Sequence, residues 1–336
     1  GGDRLVLNYC SYLVQKGHEI VYWTNEVNTH FSIDPWIPIK KIPLRGVAGT
    51  ILFVLSRKMK ADIVVVDLVV MAVLAWFLNG KRVVYLAQDD DRTYYSSPFL
   101  RGLTDLFYRL CFSVMKVRVI SVSECLARQL NPYAIVPMKV VPNGIDFNKF
   151  YHEEKSHFFK ERKSPAVIVL YARTDHRKGL DIGVKALEEL NRTRGNRDWE
   201  LWTIGEDAVD INLEGVRINK NGFLNDDALR AVLSAADIYL SCSRHEGFGL
   251  MQLEAMACGC VMVTTEAFSL VAHEVNGLVS PIEDWHSLAR NLDRALSDHP
   301  LRERLRQNGF KLAKTYSIEK SCTQFERTLL EFTKQK

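Results

Sequence analysis

A strand-length apolar run is followed by S-R-H-E-G-F-G-L-M-Q-L-E-A-M-A-C-G, residues 243–259. Gly247 and Gly249 permit a tight turn from the strand into a helix. The amide groups of Phe248, Gly249 and Leu250 then lie at the helix N-terminus, where the first amides have no acceptor within the helix and the dipole is positive. This arrangement is typical of a phosphate-binding site.

Two acids of this stretch are candidates for polar chemistry. Glu246 precedes the turn, and Glu254 lies eight residues later, in the second turn of the predicted helix. A carboxylate on an otherwise apolar helix is costly to bury unless it is paired or binds ligand hydroxyls. Glu254 therefore either binds a ligand or, alternatively, faces solvent or caps a neighbour, and its position alone does not decide between these.

A second constellation is Y-A-R-T-D-H-R-K-G-L, residues 171–180. Arg173 directly follows a predicted strand, and Lys178 opens the next predicted helix. Two cations at one strand end form a diphosphate site, with arginine as a bidentate fork and lysine as a point charge. The alternative is a solvated loop.

Apolar runs of strand length alternate with amphipathic runs of helix length along the chain. This pattern predicts an α/β protein with doubly wound parallel sheets, in which ligands bind at the carboxyl ends of the strands. The β-branched run that meets Pro, Asn and Gly at V-P-N-G-I-D, 141–146, marks a domain boundary. The predicted parts are an N-terminal domain over 1–145, a linker over 146–164, a second domain over 165–316, and a C-terminal helix over 317–336 that packs back towards the first domain.

The first domain opens with a helix. The sequence runs from Gly1-Gly2 directly into an amphipathic segment, whereas an α/β domain normally opens with a strand. We therefore expect the first strand of the N-terminal domain to be missing, leaving a gap in its sheet, and the native chain to begin upstream.

Composition limits the class of protein. The chain has 336 residues, 47% hydrophobic and 25% charged, as in soluble globular proteins. Residues 1–150 hold 18 Lys/Arg and 12 Asp/Glu, a net +6, so the remainder of the chain, at +4 in total, is −2. Without dense basic clusters, this excess favours an anionic membrane or acceptor over a nucleic acid, and a solvated basic face is the alternative.

Two further features bear on where in the cell the protein works. The segment from Phe99 to Met115 is a basic, aromatic, amphipathic helix, which suits a peripheral contact with an anionic membrane or, alternatively, core packing. The seven cysteines contain no C-x-x-C pair and indicate reduced thiols in a reducing compartment, without a metal site.

These residues resemble the retaining glycosyltransferases of family 4, which have the GT-B architecture of two facing Rossmann-like domains with a cleft between them. Glu246 and Glu254 match the E-x7-E motif of that family, and Arg173 and Lys178 match its phosphate-binding pair. The likeness extends over most of the chain. Further matches are Gly1 to Arg4 with the N-terminal glycine loop, V-P-N-G-I-D with the segment entering the linker, and residues 221–224 with the base-side loop.

The resemblance implies a nucleotide-sugar donor held by the second domain. Arg173 and Lys178 would bind the diphosphate, assisted by the amides of residues 247–250. Glu254 would bind the ribose, and Glu246 would contact the sugar. Glu246 and the two cations would act in catalysis. Backbone near Phe223 and Leu224 would read the base, and Gly2 would approach the diphosphate.

The family resemblance further implies a glycan or lipid-linked acceptor in the first domain. The family's acceptor-side histidine is replaced here by Gln88-Asp89-Asp90-Asp91, so Gln88 or Asp89 takes its place. No metal and no cofactor other than the donor is expected, because the two cations and the helix dipole can stabilise the departing diphosphate. The implied protein is a cytoplasmic transferase of polysaccharide or glycoconjugate synthesis, associated with the inner face of the membrane.

Other interpretations share this architecture. A sugar-nucleotide epimerase of GT-B fold would need no acceptor. A non-catalytic, transferase-like partner subunit fits the missing strand and the altered loops, but not the retention of both glutamates and both cations. A glycoside hydrolase is disfavoured, because the Gly-Phe-Gly turn and the Arg/Lys pair have no role in its two-carboxylate mechanism.

Overall fold

The computed structural model describes residues 2–25, 33–154, 156–194, 198–206 and 210–334. Its contacts divide the chain into two compact units. Unit 1 comprises Gly1–Gly144 with Ile318–Lys336, and unit 2 comprises Ile145–Ser317.

Unit 1 alternates helices with short parallel strands. Its elements are α1 (Gly2–Gln15), β1 (Tyr22–Thr24), β2 (Ile39–Lys41), α2 (Gly46–Ser56), β3 (Val64–Val66), α3 (Val69–Asn79), β4 (Val83–Ala87), α4 (Pro98–Arg109), β5 (Arg118–Ser121), α5 (Glu124–Leu130) and β6 (Lys139–Val140). The helix expected over 99–115 ends as α4 at Arg109 and continues as a π-helical turn, Leu110–Val114. The glycine loop expected at the N-terminus is, from Gly2 onward, the first turn of α1, where Asp3 complements the positive end of the helix dipole.

The strands of unit 1 form two separate parallel sheets. One contains β1 and β2, and the other has the order β3-β4-β5-β6. Within the described residues no strand joins β1 to β3. The described strands of unit 1 therefore form no single continuous sheet.

The last helix of the chain, α11 (Ile318–Lys334), belongs to unit 1. The rings of Tyr9 and Phe325 stack with their centroids 4.1 Å apart, which joins α1 to α11. Ser321 donates a hydrogen bond to the carbonyl of Pro142 at 2.6 Å. Buried aromatic stacking of this kind holds the terminal helix on the domain.

Unit 2 has one continuous six-stranded parallel sheet. Its elements are β7 (Ala166–Ala172), α6 (Leu180–Arg194), β8 (Trp199–Gly205), β9 (Ile218–Lys220), α7 (Asp226–Ala235), β10 (Ile238–Ser241), α8 (Leu250–Ala257), β11 (Val261–Thr265), β12 (Leu278–Ser280), α9 (Trp285–Ser297) and α10 (His299–Lys314). The strand order is β12-β11-β10-β7-β8-β9. β8 and β9 are added on one side of β7, and β10 to β12 are added on its other side. The boundary between β7 and β10 is therefore a topological switch point, where ligands bind at the carboxyl ends of the strands.

The segment expected to be a separate linker, 146–164, packs into unit 2. Phe150 is 2% exposed. The ring of His152 is hydrogen-bonded to the carbonyl of Cys258 at 2.7 Å, and Ser156 donates to the carbonyl of Ala231 at 2.8 Å. A buried aromatic ring and hydrogen bonds to α7 and to the end of α8 attach this segment to the domain, although its charged composition is typical of a solvated linker.

Candidate functional site

Glu246 is held at the centre of the switch point in unit 2. Its Oε1 atom accepts hydrogen bonds from Lys178 Nζ at 2.9 Å, Ser243 Oγ at 2.6 Å and Gln252 Nε2 at 3.0 Å. The side chain of Glu246 is only 8% exposed. Within the described residues all of these contacts reach Oε1. They hold the carboxylate group in place and leave Oε2 able to accept a hydrogen bond from a ligand.

Two glycine-dependent contacts bring the β7 and β10 loops together. Gly179, which ends the short turn carrying Lys178, has φ +62°, and an added Cβ would lie 2.0 Å from the carbonyl oxygen of Cys242. Gly183, one turn into α6, would place a Cβ 2.6 Å from the sulfur of the same cysteine. Lys178 reaches Glu246, 68 residues later, because the backbone approaches this closely.

Arg244 fastens the same two loops and was not singled out from the sequence. Its amide donates to the carbonyl of Arg177 at 2.7 Å, and its guanidinium donates to the carbonyl of His176 at 2.9 Å. The guanidinium also forms a bidentate pair with Asp181 at 2.8 and 2.7 Å and contacts Glu283. These hydrogen bonds lower the pKa of both carboxyl groups, Asp181 and Glu283. Arg244 therefore fixes the turn that carries Lys178, and its position beside Glu246 was the only sequence signal.

Arg173 lies at the end of β7 beside a carboxylate that the sequence analysis missed. Arg173 Nε is 3.6 Å from Glu206 Oε1, and the arginine side chain is 45% exposed. Thr174 donates to Glu206 Oε2 through its amide at 3.1 Å and its hydroxyl at 2.7 Å. Glu206 follows β8, the strand next to β7, so it orients Arg173 in this structure while Lys178 is oriented by Glu246. The two predicted cations occupy the same strand-end loop with different partners.

The helix expected after the Gly-Phe-Gly turn is α8. Gly249 precedes it with φ +91°, and an added Cβ would lie 2.5 Å from the buried ring of Phe268. Glu254 lies on α8 and is only 4% exposed, so the solvent-facing alternative for this acid is wrong. Burial raises the pKa of Tyr239 on β10, with smaller contributions from the charges of Glu246 and Glu254. Both glutamates therefore lie near the buried side chain of Tyr239.

The segment predicted to read a base follows β9, next to β8. The amide of Gly205 donates to the carbonyl of Gly222 at 2.7 Å, which places residues 221–224 beside the end of β8. Phe223 is 51% exposed and Leu224 is half-buried. The predicted donor residues of unit 2 are therefore all found on strand-end loops or on α8.

Two residues of unit 1 that were predicted to bind donor or acceptor, Gly2 and Gln88, lie next to each other. A Cβ on Gly2 would lie 2.9 Å from Gln88 Oε1, so the start of α1 contacts the loop after β4. The Asp89 carboxylate accepts the amide of Asp90 at 3.0 Å, and Asp90 pairs with Arg92 at 2.7 Å. Within the described residues no group of three or more His, Cys, Asp or Glu side chains is placed to hold a metal ion.

Asp91 is the buried acid of this loop. It is 4% exposed and accepts hydrogen bonds from the Val69 amide at 2.6 Å and the Tyr85 hydroxyl at 3.2 Å. Burial raises its pKa to about 7, and the charges of Asp67 and Asp90 act in the same direction. The carboxyl group is therefore more easily protonated in the folded chain than in the unfolded chain.

We expect Asp91 to make unit 1 less stable as the pH rises. Its pKa increases from 3.8 to about 7 on folding, so the folded state binds more protons between these values and stability falls across that window. A shift of this size corresponds to roughly 4 kcal/mol. Urea denaturation at pH 4.5 and pH 8 should show a pH dependence that Asp91→Asn reduces and the exposed control Glu319→Gln retains. An unchanged pH dependence in Asp91→Asn would contradict the assignment.

Comparison with solved structures identifies the fold class. A sucrose-phosphate synthase from Thermosynechococcus elongatus superposes with a TM-score of 0.84 at 17% identity, covering 100% of this chain and 94% of that one. The Anabaena protein HepE in complex with UDP-glucose superposes with a TM-score of 0.77 at 19% identity, covering 98% and 96%. The predicted GT-B fold, two Rossmann-like units with parallel sheets, is confirmed.

The two halves of the chain match glycosyltransferase family models. Residues 1–149 match the model described as Glycosyltransferase Family 4, and residues 152–312 match Glycosyl transferases group 1. An uncharacterized glycosyltransferase of Methanocaldococcus jannaschii is 29% identical over 216 residues, which are 58% of this chain and 54% of the relative. The chain spans about half the length of the relatives that it matches. Its fold is therefore of the GT-B type, and each half of the chain is similar to a glycosyltransferase family model.

Proposed function

We propose that the chain transfers a sugar from a nucleotide-diphosphate donor to a hydroxyl group of a glycan or lipid-linked acceptor, with retention of configuration and without a metal. The observation that carries this proposal is the Lys178–Glu246 pair at the switch point of unit 2, beside the N-terminus of α8. The match to glycosyltransferase models in both halves supports it.

The donor diphosphate would take the place that these cations face. Lys178 is held by one ion pair and Arg173 by a longer, more exposed one, and a diphosphate offers both a stronger anion. The first amides of α8 add donors directed at the same position. Lys178 and the helix amides are held in place before the reaction, so they would stabilise the charge that develops on the leaving phosphate without reorganisation.

Glu246 would hold the transferred sugar. Ser243, Gln252 and Lys178 fix its Oε1 atom, and Oε2 can accept from a sugar hydroxyl. Glu254, buried on α8, would bind the ribose hydroxyls. We propose that the acceptor attacks on the face from which the phosphate leaves, because this route retains configuration without a protein nucleophile.

The acceptor would bind at the loop after β4 in unit 1. Within the described residues Gln88 Oε1 is buried without a hydrogen-bond partner, so its amide group has an acceptor oxygen to offer. Asp89 follows it on the same loop. We propose that this loop binds the polar head of an acceptor of surface polysaccharide or glycoconjugate synthesis at the cytoplasmic face of a membrane. α4, whose Phe99 is 76% exposed, remains a proposed site of peripheral membrane contact.

Calorimetric titration of uridine, guanosine, thymidine, adenosine and cytidine diphosphates into the full chain tests the donor site. We expect one nucleoside diphosphate to bind to the wild type and to bind more weakly to the Glu254→Ala variant. Absence of binding by every member of the panel, in a chain shown to be folded, would contradict the proposal. Product analysis with the matching nucleotide sugar and no acceptor then separates a transferase, which hydrolyses it slowly, from an epimerase.

The two glutamates should differ in their kinetic effect. Glu254→Ala removes a buried carboxylate from the proposed ribose site, so we expect weaker donor binding by about tenfold to a hundredfold, the scale of one charge-assisted hydrogen bond. Glu246→Ala should mainly lower kcat. Glu303→Ala, which removes an exposed carboxylate on α10, serves as the control. Wild-type kinetics in both site variants would refute the assignment of the glutamate pair.

A further inference from the structure

Three arginine side chains of unit 2 lie around one carboxylate at the amino ends of β7 and β10. Arg162 donates to the carbonyl of Pro165, directly before β7, at 2.6 Å and to Asp237 Oδ2, directly before β10, at 2.7 Å. Arg306 on α10 has Nη2 3.6 Å from Asp237 Oδ1. Arg302 lies one turn earlier on the same helix. Arg162, Arg302 and Arg306 are called the arginine cluster below.

The arginine cluster lies at the opposite edge of the sheet from the candidate donor site. Asp237 precedes β10, whereas Glu246 follows it, and β10 is parallel to β7. The four residues of β10 alone separate the two edges by about 13 Å. A ligand bound to the arginine cluster is therefore not the donor diphosphate bound at Lys178.

Positive charge exceeds negative charge in the arginine cluster. Asp237 is 9% exposed and pairs with Arg162. Glu303 also faces the cluster, 3.9 Å from Arg306 Nε, but its side chain is 57% exposed. Burial lowers the pKa of Arg302, and the charges of Arg306 and Arg162 act in the same direction while that of Asp237 opposes them. The cations thus repel one another more than these two acids compensate.

Arg306 has an unused hydrogen-bond donor. Within the described residues its Nε atom is buried without a hydrogen-bond partner. Its distances to Asp237 and Glu303, 3.6 and 3.9 Å, are longer than hydrogen bonds. Arg194, a comparably buried arginine, instead donates from Nε to Asp198 at 3.1 Å. A buried donor without an acceptor costs free energy, so an anion beside Arg306 would be favourable.

We propose that the arginine cluster binds a phosphate group, either inorganic phosphate or a phosphate monoester. Guanidinium groups match the geometry of phosphate oxygens and can form two parallel hydrogen bonds to them. Arg302 and Arg306 are four residues apart on α10 and therefore share a face of the helix. The carboxylate of Asp237 opposes binding of an anion, but Arg162 already neutralises it. The proposal does not depend on sugar transfer.

Calorimetric titration of inorganic phosphate tests the arginine cluster. The parent protein is the full chain carrying Arg173→Ala and Lys178→Ala, which removes the cations of the donor site, and chloride keeps the ionic strength constant. We expect saturable binding of one phosphate per chain. Adding Arg306→Ala should weaken it by at least about tenfold, the scale of one charge-assisted hydrogen bond. The matched control Arg290→Ala, an exposed arginine on α9, should bind as the parent does.

Urea denaturation separates a binding role of Arg306 from a structural one. In chloride, Arg306→Ala should leave the midpoint unchanged or higher, because it removes one of several mutually repelling cations. Phosphate should raise the midpoint of the parent and not that of the variant, since a ligand stabilises only the state that binds it. A lower midpoint of Arg306→Ala in chloride, with no effect of phosphate on either protein, would overturn the proposal.

Three calorimetric results would also overturn the proposal. These are the absence of saturable phosphate binding by the parent, equal affinity of the parent and Arg306→Ala, and an equal loss of affinity in Arg290→Ala. Titration of glycerol phosphate into the same parent distinguishes the two sources of the phosphate group. Tighter binding than that of inorganic phosphate identifies a monoester and equal binding identifies the free ion, and both results support the site.

Discussion

Replacing both Arg173 and Lys178 with alanine is expected to reduce kcat/KM by at least about thirtyfold, or about 2 kcal/mol in transition-state stabilisation. The two cations lie on one loop after β7, and each is held by a carboxylate, Glu206 or Glu246. Without them those carboxylates remain and repel the departing diphosphate. Steady-state kinetics with the donor identified by calorimetry measures the effect.

The matched control removes the same charge elsewhere in unit 2. Lys185 and Arg192 lie on the exposed face of α6, so the Lys185→Ala, Arg192→Ala double variant has the same net charge as the site variant. We expect it to retain wild-type kcat/KM. Equal rates for the site variant and the wild type would refute a diphosphate role for the two cations.

Replacing Gly179 with alanine is expected to destabilise unit 2 by about 3 kcal/mol or more, combining overpacking with the cost of a positive φ. The new Cβ would lie 2.0 Å from the carbonyl oxygen of Cys242, at φ +62°. That atom belongs to the backbone at the end of β10, so it cannot move aside as a flexible side chain could. The turn carrying Lys178 must shift instead, and we expect donor affinity to fall with stability.

The Gly17→Ala variant separates the cost of overpacking from the cost of a positive φ. Gly17 has φ +88°, but nothing lies within 4 Å of its added Cβ, so only the backbone cost of about 1 kcal/mol is expected. Urea denaturation of the two variants measures the difference. If Gly179→Ala is no more destabilising than Gly17→Ala, the close approach of the two loops does not hold Lys178 in place.

Much of unit 2 could be predicted because its signals are local. Apolar runs of strand length predicted the strand before Arg173 and the strand before residue 243, which are β7 and β10. The helices after them follow from amphipathic spacing in the same way. The glycines around Phe248 predicted the turn into α8. Each of these features depends on residues close together in the sequence.

Short strands, and the residues that hold the site side chains in place, could not be predicted in this way. β9 and β12 have three residues each, too few to show a period. α2 is apolar on nearly every side, so no periodic contrast marks its boundaries. Glu206 and Arg244 have ordinary local sequences, and they matter because a neighbouring strand brings Arg173 or the Lys178 turn beside them.

The sequence by itself determined the class of fold and the chemical types of the site: two glutamates eight residues apart, two cations after one strand, and glycines that permit tight turns. Tertiary structure alone decided that β10 lies beside β7. This neighbourhood pairs Lys178 with Glu246, buries Glu254 and brings the backbone of Cys242 against Gly179. The physical reason is that side-chain periodicity specifies which face of an element is buried, whereas strand order depends on packing between segments distant in the chain.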